Sequence, residues 1–194
     1  MKTLLTISVS LTMAVTAFSQ TLPSGMTALL PAGVTANIDD TRKATQYKNL
    51  VVAGDNTNGY KAFFAATDAT NGEELWVTDG TAAGTKLVKD INPGAAGSNI
   101  QWLTRFNDKV VFGADNGTAG VELWISDGTA AGTFMVKDIH DFASSEPRGF
   151  TQVNETQFIF GAKDFDSENY SSRGAQWWLY VSDGTAAGTQ LIYQ

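Results

Sequence analysis

Residues 75–85 read LWVTDGTAAGT, residues 123–133 read LWISDGTAAGT and residues 179–189 read LYVSDGTAAGT. The strings start 48 and 56 residues apart, while Phe64, Phe112 and Phe160 recur upstream at an even 48. The eight extra residues of the last copy therefore fall between Phe160 and Leu179, across residues 164–174. VKDI follows the first two strings, at 88–91 and 136–139, and the third continues as LIYQ. Self-similarity at a fixed period of this length is the mark of a modular array, in which each unit buries its apolar face against a neighbour.

Within each unit the apolar period is two, the period of a strand. In the second unit Val110, Phe112 and Ala114 alternate with Val111 and Gly113, then Val121, Leu123 and Ile125 alternate with Glu122, Trp124 and Ser126. A third strand, 134–139, follows the DGTAAGT turn, and a fourth follows a Pro-, Gly- and Ser-rich loop, at 100–106 in the first unit and 149–153 in the second. Four short strands over about 48 residues match one propeller blade in size. The sequence thus predicts an all-β chain, a β-propeller-like array of four-stranded antiparallel units with about three blades, partial or open. The units run over about 60–107, 108–154 and 155–194, and residues 48–53 form a lone fourth strand, which makes three full blades if it completes the last unit. Closed propellers use four to eight blades. The expectation is accordingly a fragment of a longer array, an open stack, or a protomer that closes a ring with partners.

Ahead of the array, residues 1–19 open with Met1 and Lys2, run from Thr3 to Phe18 without a charge, and end in Ala17-Phe18-Ser19. A short positive start, an apolar stretch too short to span a bilayer and small residues before the cut describe a secretory signal peptide, with cleavage after Ser19. Residues 20–47, with Pro23 and Pro31, read as an extended leader. No cysteine occurs in the 194 residues, which excludes disulfides, thiolate metal sites and thiol catalysis. Thirteen basic against twenty acidic side chains give a formal charge of −7, and no run of cations exceeds Arg42-Lys43. Nothing here follows a phosphate backbone, so nucleic acid is not expected as a partner.

The strings ELWVTDGTAAGTKLVKDINPG at 74–94 and ELWISDGTAAGTFMVKDI at 122–139 resemble the ELWxxDGTxxGT repeat proteins, exported multi-copy proteins common in Bacteroidetes-type bacteria. The resemblance covers about Tyr60 to Gln194. It implies a propeller-like fold and an outer-surface location, and it brings no catalytic residues. The segment DATNGEELW at 68–76 is also similar to the tryptophan-docking motif of quinoprotein propellers, which implies blade-to-blade packing and no quinone.

The recurring residues are read first as structure. Asp79-Gly80-Thr81, Asp127-Gly128-Thr129 and Asp183-Gly184-Thr185 are turn formers: the carboxylate accepts from backbone N–H groups two residues on, and Gly supplies positive φ. Calcium at each turn is the rival reading, but a hard cation wants six to eight oxygens and one Asp with two Thr falls short. Trp76, Trp124 and Tyr180 read as packing aromatics. Glu73-Glu74 and Asp39-Asp40 are adjacent, hence on opposite faces of a strand, and make no glycosidase pair. His140, the one histidine, is expected in a solvated loop.

The insert is the one departure from the pattern, and unique loops on a repeated scaffold are where recognition resides. Asp164, Asp166, Glu168, Tyr170, Arg173 and Trp177 are the candidate ligand-binding residues, for a cation or a stacked sugar. The function expected is an exported, non-enzymatic interaction scaffold meeting a protein or glycan surface. A lectin-like or calcium-dependent glycan binder is the alternative, and a fragment of a propeller hydrolase or quinoprotein the second.

Overall fold

The computed structural model describes residues 30–36, 50–55, 59–141, 143–164 and 176–193. They form thirteen strands and no helix among the described residues. The first sheet holds β1 (Thr35–Ala36), β2 (Leu50–Asp55), β3 (Gly59–Asp68), β4 (Gly72–Thr78) and β5 (Lys86–Lys89). The second holds β6 (Gln101–Phe106), β7 (Lys109–Asp115), β8 (Val121–Ser126) and β9 (Phe134–Lys137) in chain order. The third holds β10 (Arg148–Gln152), β11 (Phe158–Asp164), β12 (Gln176–Ser182) and β13 (Gln190–Tyr193). Every pairing is antiparallel, as short hairpin connections require.

The expected β-propeller-like array is corrected by this pairing. The three sheets are separate, and none is closed or curled into a blade of a ring. The physical reason lies at the two ends. Residues 48–53 were expected to complete the last unit, yet β2 pairs with β3 from Leu50↔Phe64 to Asp55↔Gly59, so its hydrogen bonds are spent in the first sheet. At the other end β13 pairs with β12 alone, and all four of its residues are exposed. Each sheet also opens with the strand that the 48-residue spacing sets at the end of the unit before it: β6 pairs with β7, and β10 with β11.

The sheets pack face to face, and the period-two pattern says which residues meet. From the first sheet Phe63, Leu75, Val77 and Val88 share one cluster with Phe112, Ala114 and Trp124 of the second. From the second, Val111, Leu123, Ile125 and Val136 share another with Phe160, Ala162 and Tyr180 of the third. The middle sheet is therefore covered on both faces, which is why all six residues of β8 are buried. Trp76, with Phe64 and Ala66, faces away from the second sheet and is covered by Leu30, Val34 and Ala36. Three lysines tie neighbouring sheets: Lys61 Nζ donates to Asp127 O at 3.2 Å, Lys89 Nζ to Thr133 O at 2.8 Å and Lys137 Nζ to Thr189 O at 3.0 Å.

Candidate functional site

The three DGT turns are superimposable in their hydrogen bonding. In the first, Thr81 donates both its N–H (2.9 Å) and its hydroxyl (2.7 Å) to Asp79 Oδ1, and Gly84 N–H donates to Thr81 Oγ1 at 2.9 Å. Thr85 Oγ1 then donates to Thr81 O at 2.7 Å. The same bonds recur around Asp127, Thr129, Gly132 and Thr133, and around Asp183, Thr185, Gly188 and Thr189. Gly80, Gly128 and Gly184 hold φ of 91, 87 and 85°, the left-handed region where a Cβ is penalised. A Cβ on Gly84, Gly132 or Gly188 would collide with the turn carboxylate. The Thr81 and Thr185 hydroxyls hold Asp79 and Asp183 below the usual carboxylate range. For Asp127 burial pushes the other way, and the two bonds from Thr129 prevail.

Two glutamates that begin the ELW strings were missed as structural elements. Glu74 and Glu122 are fully buried. Glu74 accepts from the N–H groups of Ile91 and Asn92, both at 3.1 Å. Glu122 accepts from Ile139 N–H at 2.9 Å, Ser145 N–H at 2.7 Å and Ser145 Oγ at 2.6 Å. Each carboxylate pins the loop that leaves its sheet after VKDI. Burial is the main cause that pushes each up to about 7, against the opposing hydrogen bonds. Both copies that continue past VKDI carry Glu, while the last copy has Trp178 there, a recurrence that marks the residue without naming its donors. His140, expected in solvent, is 6% exposed, and its Nδ1 accepts from Ala143 N–H at 3.1 Å.

Of the insert residues, Asp164 and Trp177 are described; Asp166, Glu168, Tyr170 and Arg173 lie outside the described residues. Asp164 Oδ2 accepts from Tyr180 Oη at 2.6 Å, and burial together with that bond raises the phenol well above its ordinary value. Trp177 lies under the Arg148 guanidinium, 3.1 Å from the ring centroid, with Lys163 Nζ at 5.3 Å. Trp76, Trp124 and Tyr180 are 5%, 5% and 3% exposed and sit opposite Phe64, Phe112 and Phe160 on the paired strand. Among the described residues, no three His, Asp or Glu side chains are grouped to hold a metal ion.

Among the described residues, a concave site lies where β2, β6 and β10 come together. A cleft of about 400 Å³ is lined by Val51 of β2, by Trp102, Leu103, Thr104 and Arg105 of β6, and by Gly149, Phe150 and Thr151 of β10. Val51, Thr104 and Thr151 hold equivalent register, opposite Phe63, Val111 and Ile159. Both β6 and β10 carry a bulge just before that threonine. Its first residue is left-handed in each case, Gly149 at φ 69° and Trp102 at φ 56°. Glycine is the usual occupant of that bulge position, so Trp102 is the exception. Arg105 is oriented by two donor bonds, Nε to Asn107 O at 2.8 Å and Nη2 to Gly54 O at 2.9 Å.

Comparison with known proteins adds no relative: no family model, no curated protein and no solved structure matches the chain. Of the labels expected from the sequence, that of a propeller is corrected to an all-β fold of three separate antiparallel sheets, and no match bears out those of signal peptide, repeat family or bacterial cell surface.

Proposed function

We propose that the protein is an exported, non-enzymatic interaction scaffold that binds its partner at the cleft between β2, β6 and β10. The observation that carries the reading is the engagement of the carboxylates that recur with the repeat. Asp79, Asp127 and Asp183 are committed to their own turns, and Glu74 and Glu122 to loop N–H groups. A general acid or base needs a carboxyl aimed at an open site, and these point into their own backbone. The cleft, by contrast, combines an apolar wall with few polar groups, the usual character of a binding pocket.

Purified chain is to be screened on chromogenic glycosides, esters and peptides. The expected result is no turnover. Turnover abolished by a single substitution would overturn the scaffold reading. Sequencing the N-terminus of the protein recovered outside the expressing cells checks export, with Gln20 as the expected first residue.

A further inference from the structure

We infer that the outer face of the third sheet is a self-association surface, on which a second copy of this chain docks through its own third sheet. This surface shares no lining residue with the cleft.

The repeat shows what such a face does. Val111, Leu123, Ile125 and Val136 of the second sheet form its contact with the third. At the repeat offsets the third sheet carries Ile159, Leu179, Val181 and Ile192 in those places. The pairing is the same, Ile159 opposite Val181 as Val111 is opposite Ile125. Among the described residues no further sheet covers them: none of the four belongs to a core cluster, and Leu179 and Ile192 are exposed. Burial of this apolar face joins the sheets within the chain, and a contiguous exposed patch of it marks an association site.

Two features select the occupant. Lys89 and Lys137, which reach the turn carbonyls of the following sheet, give way to Tyr193, which is 73% exposed. The tie to a following sheet of the same kind is lost, and an aromatic ring stands in its place. The face that the first sheet would bring to a head-to-tail stack is closed, since Phe64, Ala66 and Trp76 lie under Leu30, Val34 and Ala36. Pairing of like faces meets neither obstacle, and one contact covers the patch on both copies.

The register sets the symmetry. Arg148, Gly161, Leu179 and Tyr193 are successive partners across β10, β11, β12 and β13, one row over the whole sheet. A two-fold axis parallel to the strands, between β11 and β12, lays β10 of each copy over β13 of the other, and so Arg148 over Tyr193. The Arg148 guanidinium already stacks on Trp177, 3.1 Å from the ring centroid, and its opposite side suits a phenol ring. Lys163, the neighbouring cation, is paired with Glu146 at 2.6 Å. Four strands about 4.8 Å apart, with seven residues of about 3.4 Å each in β11 and β12, make a face of roughly 19 by 24 Å. That is the small end for a specific complex, so a micromolar dissociation constant is expected.

Sedimentation equilibrium of the purified chain from about 1 to 300 μM spans that range. The mass is expected to rise from one chain to two and to go no further. Tyr193→Lys, which restores the residue of the earlier copies and sets a cation against Arg148, is expected to weaken dimerisation tenfold or more. Ile192→Lys, at an exposed edge position, is expected to give the same loss. Both should keep the unfolding midpoint of the native chain at the lowest concentration. Adding Arg148→Glu to Tyr193→Lys is expected to restore the dimer, because opposite charges then meet across the axis. The inference fails if the native chain stays a monomer at the highest concentration, if its mass grows beyond two chains, if both single variants dimerise like the native chain, or if Arg148→Glu restores nothing. In each of those cases the cleft and scaffold readings stand, since neither uses this face.

Discussion

The turn aspartates and the buried glutamates are the same functional group in opposite settings. Asp79 and Asp183 sit in solvent, and their threonine partners favour the charged form, so their pKa falls. Glu74 and Glu122 receive comparable N–H bonds but sit inside, and the loss of water outweighs those bonds, so their pKa rises to about 7. The difference teaches that the donors alone do not set a carboxylate's charge; the solvent around it does. It also separates two uses of a recurring acid. One shapes a hairpin that stands by itself, while the other joins a strand to a loop far along the chain.

The largest effect that would break this comparison is expected from Glu122→Ala. It leaves the N–H groups of Ile139 and Ser145 buried without an acceptor, at about 3 kcal/mol by urea unfolding. A loss no greater than that of a turn aspartate would show that the loop does not depend on its glutamate.

Next is the pH dependence. A carboxyl whose folded pKa lies above its unfolded value holds more protons when native, so its contribution is full below about 4.5 and is lost as pH rises through 7. Denaturant midpoints measured from pH 5 to 8 should therefore decline, by on the order of 2 kcal/mol per glutamate. Glu122→Gln should flatten its share of that decline. The turn aspartates have the opposite sign: their contribution is present above pH 4 and lost on acidification below it. A profile that rises between pH 5 and 8 contradicts the assignment of the glutamates.

Gly132→Ala sharpens the turn side. Its Cβ would overlap the Asp127 carboxylate, so the Asp127–Thr129 bonds must break, at about 2 kcal/mol in thermal or urea unfolding. The smallest effect is Asp127→Ala, which removes two largely solvent-exposed bonds and is expected to cost about 1 kcal/mol. The double variant should cost no more than Asp127→Ala alone, and less than Gly132→Ala, since the clash disappears with the carboxylate.

Much of the local structure was legible in these residues. Alternation at 110–114 and 121–125 marked β7 and β8, and the residue types of Asp127-Gly128-Thr129 named the bonds of their turn. Other features were not legible. Glu122 stands in an alternating strand beside Val121, and nothing local says that a loop 17 to 23 residues away will donate to it. Trp102 reads as an ordinary strand aromatic; its left-handed φ appears only once a bulge sets Gln101 opposite Gly113 and Thr104 opposite Val111. The insert drew attention as the one unique loop, while the cleft went unnoticed because its walls come from three distant strands.

The sequence by itself determined the strands, their turns and the two apolar faces of each hairpin, because hairpin hydrogen bonds and period-two packing are settled within a few residues. The tertiary structure alone decided that β2 joins the first sheet, that the sheets stay separate, that Glu74 and Glu122 lose their water, and that Val51, Trp102 and Thr151 share one cleft. Those outcomes depend on which of several chemically equivalent edges and faces meet, and a repeated sequence offers each unit the same choice.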